Sequence, residues 1–109
     1  MNQLESAARY CAELVGWKPG IDAGWVSPVG TWEISYRPYA TSLDAQVRDL
    51  VPLLRARRIS MRIAIDVTTF TAWADFPTQT ASPLRSGDDM AQTTLLVIAR
   101  ALGWEGTEL

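Results

Sequence analysis

From Ile59 to Val67 an apolar residue occupies every odd position (Ile59, Met61, Ile63, Ile65, Val67), with Ser60, Arg62, Ala64 and Asp66 between them. A helix would scatter those side chains around its axis, whereas an extended chain puts them all on one face. The β-branched residues that dominate the apolar side favour the pleated conformation further. The run therefore predicts a strand, and the rest of the chain must build a sheet around it. After Thr68-Thr69-Phe70, the segment from Thr71 to Phe76 returns antiparallel, with Trp73 and Phe76 giving bulk to both faces. The even side of the first strand is polar at Ser60, Arg62 and Asp66, so at least part of one sheet face is expected to be wet or ligand-facing.

A second hairpin is predicted around Ser27-Pro28-Val29-Gly30, whose proline and glycine suit a tight turn. Beyond it, Trp32, Ile34 and Tyr36 fall on even positions and are expected to face the core, leaving Thr31, Glu33 and Ser35 toward water or a partner. Helical spacing marks three other segments. Leu4, Ala7, Ala8, Cys11, Leu14 and Val15 form the stripe of a first helix, stopped by Gly16 with Trp17 as the apolar contact beyond it. Arg37 to Ala40 stays extended around Pro38, and Thr41 is expected to start a second helix with Leu43, Val47, Leu50, Val51 and Leu54 as its buried stripe, kinked at Pro52. A third helix, from Asp88 to Leu102, has little polar surface and is expected to be mostly buried; Gly103-Trp104 repeats the stop at Gly16-Trp17.

Between the hairpin ending at Phe76 and the last helix, Pro77 to Ser86 shows no sustained period and reads as a polar loop of about ten residues. The order is α-β-β-α-β-β-α. It predicts an α+β fold in which a small antiparallel sheet of hairpins is covered by three helices, as an α/β/α layered sandwich.

The chain has 109 residues, enough for a single domain over 1–109 with one core. Ten basic against twelve acidic residues give no electrostatic basis for duplex nucleic acid as the main partner. Histidine is absent and Cys11 is the single cysteine, which removes imidazole bases, the usual serine and cysteine triads, internal disulfides and thiolate zinc sites. No 18-residue apolar stretch or secretory h-region occurs, so a cytoplasmic protein with no membrane partner is expected. Catalytic, cofactor and metal residues are expected to be none. Asp88-Asp89 either holds a divalent cation with Asp66 or Asp75, as a metal-dependent enzyme would need, or simply caps a helix, which is the favoured reading; Asp66 with Asp75 as an acid/base couple would need a convergence that spacing alone does not supply.

The contact candidates are basic and aromatic. Arg55, Arg57, Arg58 and Arg62 form the one local basic cluster; they either grip an anion or complete a solvated helix end. Arg37 and Tyr39, with Trp25, Trp32 and Tyr36, combine rings that can stack with a guanidinium that can hold a phosphate, or are core. Arg62 and Trp73 are the leading pair for a nucleotide-like ligand held between the sheet and the Pro77 to Ser86 loop. A 48% hydrophobic content also makes a homo-oligomer a reasonable expectation.

Four segments, in order, carry a family resemblance: Gly16-Trp17, Pro38-Tyr39-Ala40-Thr41-Ser42-Leu43, Trp73-Ala74-Asp75-Phe76 and Ile98-Ala99-Arg100-Ala101-Leu102. Together they resemble the phage ABA-sandwich domain family, small phage and prophage proteins of unassigned function. Ala40, Ser42, Val47 and Ala99 depart from that family's usual serine, aspartate, tryptophan and cysteine. The resemblance implies a layered α/β domain acting in the bacterial host cytoplasm, with no catalytic residues to carry over. Together with the residue inventory, it leads to the expectation of a non-catalytic accessory protein that binds a host or phage protein, such as an inhibitor of a defence system. A small-ligand binder is the alternative.

Overall fold

The structure is a computed structural model, and it describes residues 2–77 and 83–106. Helix α1 spans Gln3–Val15, capped by Asn2, whose side chain accepts the Glu5 amide at 2.8 Å. Gly16 ends it at φ 122°, where Trp17 N–H reaches back to Ala12 O. The end of the last helix repeats this geometry, with Gly103 at φ 109° and Trp104 N–H on Ala99 O. In both, a left-handed glycine frees the next amide to satisfy an orphan carbonyl and drops a tryptophan into the core. Trp17 and Trp104 are both buried.

Strands β1 (Lys18–Pro19), β2 (Trp25–Val26) and β3 (Trp32–Glu33) form a small antiparallel sheet in that order. The predicted turn joins β2 to β3, with Gly30 N–H on Ser27 O and Ser27 Oγ on the Thr31 amide. The expected burial beyond it is corrected. Trp32 is 53% exposed and Ile34 81%, and only Tyr36 packs against the core. The reason is that β3 stops after Glu33, so the alternation from 31 to 36 is never set against a second layer. Trp32 lies instead across the Gly20–Gly24 loop, its Nε1 donating to Ile21 O, so close that a Cβ on Gly24 would stand 2.3 Å from the indole.

Helix α2 (Leu43–Asp49) is capped by Ser42 Oγ rather than by Thr41, and Pro52 opens a separate α3 (Val51–Ala56) at the predicted break. Of the expected stripe Val47 is exposed, while Leu50 and Leu54 are buried. Strands β4 (Ser60–Ile65), β5 (Phe70–Asp75) and β6 (Leu84–Gly87) make a second antiparallel sheet in chain order. β6 corrects the expected loop: Leu84 to Ser86 pair with β5, and residues 78–82 lie outside the described residues. Four residues are too few for a period to show in sequence. Asp89 caps α4 (Met90–Ala101), accepting the Gln92 amide at 2.9 Å.

The chain is thus an α+β fold of antiparallel hairpin sheets covered by helices, with its strands divided into two three-stranded sheets. α4 lies against β5 and β6, where Ala72 and Ala74 are fully buried, and α1 packs on α4. Where α2 meets α4, the fully satisfied Gln46 fixes the register: its Nε2 donates to Tyr39 O and Ala91 O, and its Oε1 accepts from Thr94 Oγ1 at 2.7 Å.

Candidate functional site

Side chains alternate across β4–β6, so the sheet has two faces. Ala72 and Ala74 turn toward α4. The opposite face carries Arg62, Trp73 and Leu84 as one row across the three strands, flanked by Ala64, Thr71 and Ser86 on one side and by Ser60 and Asp75 on the other. None of these residues is buried, and Leu84 is 66% exposed. The wet sheet face expected from the even positions of β4 is this one.

Within the row the Arg62 guanidinium stands 5.7 Å from the Trp73 ring centroid and reaches Asp75 Oδ2 with Nε and Nη2, both at 2.7 Å. The carboxylate and the ring restrain the guanidinium, which lowers the entropy lost when a partner docks on it. Thr71 and Ser86 hydroxyls meet at 2.8 Å beside it. The result is an exposed surface of apolar side chains and a paired guanidinium, with hydroxyls beside them.

The other sequence candidates are elsewhere. Tyr39 is completely buried: Trp17 Nε1 donates to its hydroxyl at 3.2 Å, and the hydroxyl donates to Asp49 Oδ2 at 2.6 Å. Burial, then the bond to Asp49, raises the Tyr39 pKa well above the usual phenol value. It is therefore a core residue, and the expectation that it contacts a partner is corrected. Arg37 is held by the same carboxylate, Nε to Asp49 Oδ2 at 3.0 Å. Tyr36 stacks on Tyr39 and meets Trp25 edge-on at 4.9 Å, while Arg9 covers Trp25. This aromatic group fastens the small sheet to α1, and burial pushes the Tyr36 pKa up. A cleft of about 510 Å³ lies between α1 and residues 35–40, but Glu5 lines it and Arg37 is already paired, a poor setting for an anion.

Arg55 and Arg58 sit at the exposed end of α3, where Arg58 adopts φ 58° in the turn into β4. The structure brings Arg62 and Trp73 together and leaves Arg37, Tyr39, Arg55 and Arg58 outside that face. Sequence reading missed Leu84 and Ser86 as members, because β6 is invisible as a strand, and Thr71, because residue type gives it no claim to a contact role. Asp66 closes the β4–β5 hairpin with its amide on Thr69 O, while Asp75 pairs with Ser60 at the far end. Six residues of strand, about 20 Å, separate the two carboxylates, too far for a shared acid/base role. Cys11 is fully buried and its thiol is pushed up to about 12 by burial, so it serves as packing. Among the described residues no group of three or more His, Cys, Asp or Glu is placed to hold a metal ion, and no helix is long and apolar enough to cross a membrane.

No family model, curated protein or solved structure matches the chain.

Proposed function

We propose that this chain is a non-catalytic accessory protein that acts by binding a macromolecule, a protein of a phage or of its bacterial host, through the outer face of β4–β5–β6. The observation that carries the reading is the Arg62–Trp73–Leu84 row lying across a sheet face that, among the described residues, no helix covers. Tryptophan and arginine are the residue types that most often anchor protein interfaces, and here they arrive pre-packed against each other. None of the residues of the row is buried, which suits a protein surface better than an enclosed small molecule. Asp75, on the same guanidinium, disfavours a phosphate there, so nucleotide sequestration is the weaker reading. The resemblance to phage ABA-sandwich proteins supports placing the partner in the bacterial cytoplasm, and blocking a defence protein would be one such action.

Affinity purification from the bacterial cytoplasm followed by mass spectrometry tests this. A stoichiometric protein partner is expected with the natural sequence and is expected to be lost with Trp73→Ala, while Arg57→Ala, on the α3 end, retains it. Recovery of the bare protein, or a partner indifferent to Trp73→Ala, would contradict the reading. A nucleotide released on denaturation would favour the alternative.

A further inference from the structure

Among the described residues β4 is the open edge of its sheet, six residues long, and every residue from Arg62 to Val67 is exposed. Natural proteins rarely leave such an edge bare. The hairpin closes with the Asp66 amide on Thr69 O at 2.9 Å, and Ala74 N–H turns toward β6, onto Pro83 O. Ladder alternation then directs the even residues of β4 at β5, and turns the N–H and C=O groups of Met61, Ile63 and Ile65 to the open edge. The same residues carry the apolar side chains: Ile63 is 44% exposed, Ile65 71%, and Val47 of α2 shares a cleft with Met61 and Ile63.

We propose that β4 pairs antiparallel with β4 of a second copy of this chain, about a two-fold axis at Ala64. A two-fold axis normal to the sheet preserves both faces, so odd residues meet odd ones and even residues meet even ones. Centred on Arg62, the pairing would set that residue against itself, like charge on like. Centred on Ile63, it would put Arg62 opposite Ala64 and match no charge. Centred on Ala64, it puts Arg62 opposite Asp66 of the second copy, twice, at non-hydrogen-bonded positions where side chains approach most closely. Ile63 then faces Ile65 of the second copy in hydrogen-bonded pairs, and alanine meets alanine on the axis. Arg62 keeps Asp75 in this arrangement, since its guanidinium carries five donors. The product is a six-stranded sheet whose outer face bears two Arg62–Trp73 pairs.

Sedimentation of the full chain across a concentration series tests the pairing; the natural sequence is expected to form a dimer. Ile65→Pro deletes an edge-facing N–H, which a free edge tolerates, and is expected to give a monomer with an unchanged far-UV circular dichroism spectrum. Asp66→Arg and Arg62→Asp are each expected to weaken self-association at least tenfold, and an equimolar mixture of the two is expected to form the mixed dimer, because both charge pairs are then complementary. A monomeric natural sequence, a dimer that survives Ile65→Pro, or a mixture that stays monomeric would overturn the proposal. If Ile65→Pro does not fold, the charge-exchange mixture decides. Partner capture by a monomer would leave the proposed function standing, so the two readings fail separately.

Discussion

The hydroxyl of Tyr39 donates a 2.6 Å hydrogen bond to Asp49 Oδ2 while accepting one from Trp17 Nε1, so a single buried oxygen ties the stop of α1 to the end of α2. Asp49 in turn accepts from Arg37, which fixes the extended segment between the small sheet and α2. Tyr39→Phe preserves the ring's packing but leaves the Trp17 indole N–H without its acceptor. Denaturant unfolding is expected to show a loss of about 1 to 3 kcal/mol, the cost of an unmet buried polar group. A variant as stable as the natural sequence would show that the hydroxyl is not holding these elements.

Gln46 makes the second such joint, between α2, α4 and the carbonyl of Tyr39. Gln46→Leu is close in volume but leaves two carbonyls without their side-chain donor and the Thr94 hydroxyl without one acceptor. With Gln46 Oε1 gone, the single Thr94 hydroxyl proton can turn to Met90 O, so the damage falls mainly on the carbonyls of Tyr39 and Ala91. The expected loss is about 2 kcal/mol by the same measurement, with Thr94→Val costing less. The reverse order would mean that the threonine dominates.

Alkaline pH is expected to destabilise the fold. Cys11 is raised to about 12 and Tyr39 is raised above its usual phenol value in the folded chain, so the unfolded chain loses these protons first. Stability is therefore complete below the unfolded thiol value of about 8.5 and declines as pH climbs, by about 1.4 kcal/mol per pH unit for each proton difference fully developed. Melting temperature followed against pH checks this, and Cys11→Ala is expected to flatten the first part of the decline. The same burial predicts that iodoacetamide modifies Cys11 in denaturant but not in the native protein.

Much of the architecture was legible because periodicity and stop signals are local. The odd-position alternation gave β4, Gly16-Trp17 and Gly103-Trp104 gave the helix ends, and Pro52 gave the break between α2 and α3. What was not legible depended on partners distant in sequence. Leu84 to Gly87 becomes a strand only because β5 offers it an edge, and Ile34 stays exposed only because β3 ends before reaching it. The candidate site shows the same division. Residue type alone singles out Arg62 and Trp73, and the register makes them cross-strand neighbours, whereas Leu84 joins them through a pairing that no local pattern announces. Tyr39 was misplaced because residue type alone does not say whether an aromatic ring anchors a partner or the chain's own core; its two hydrogen bonds, both with residues on other elements, decide that.

The proposed recognition surface is the outer face of β4–β5–β6. Its most direct test is photocrosslinking in producing cells, with p-benzoylphenylalanine introduced at one position at a time. Leu84→p-benzoylphenylalanine is expected to give a discrete adduct with a second protein, and Arg57→p-benzoylphenylalanine, on the α3 end, to give none. An adduct from position 57 with none from position 84 would contradict the account.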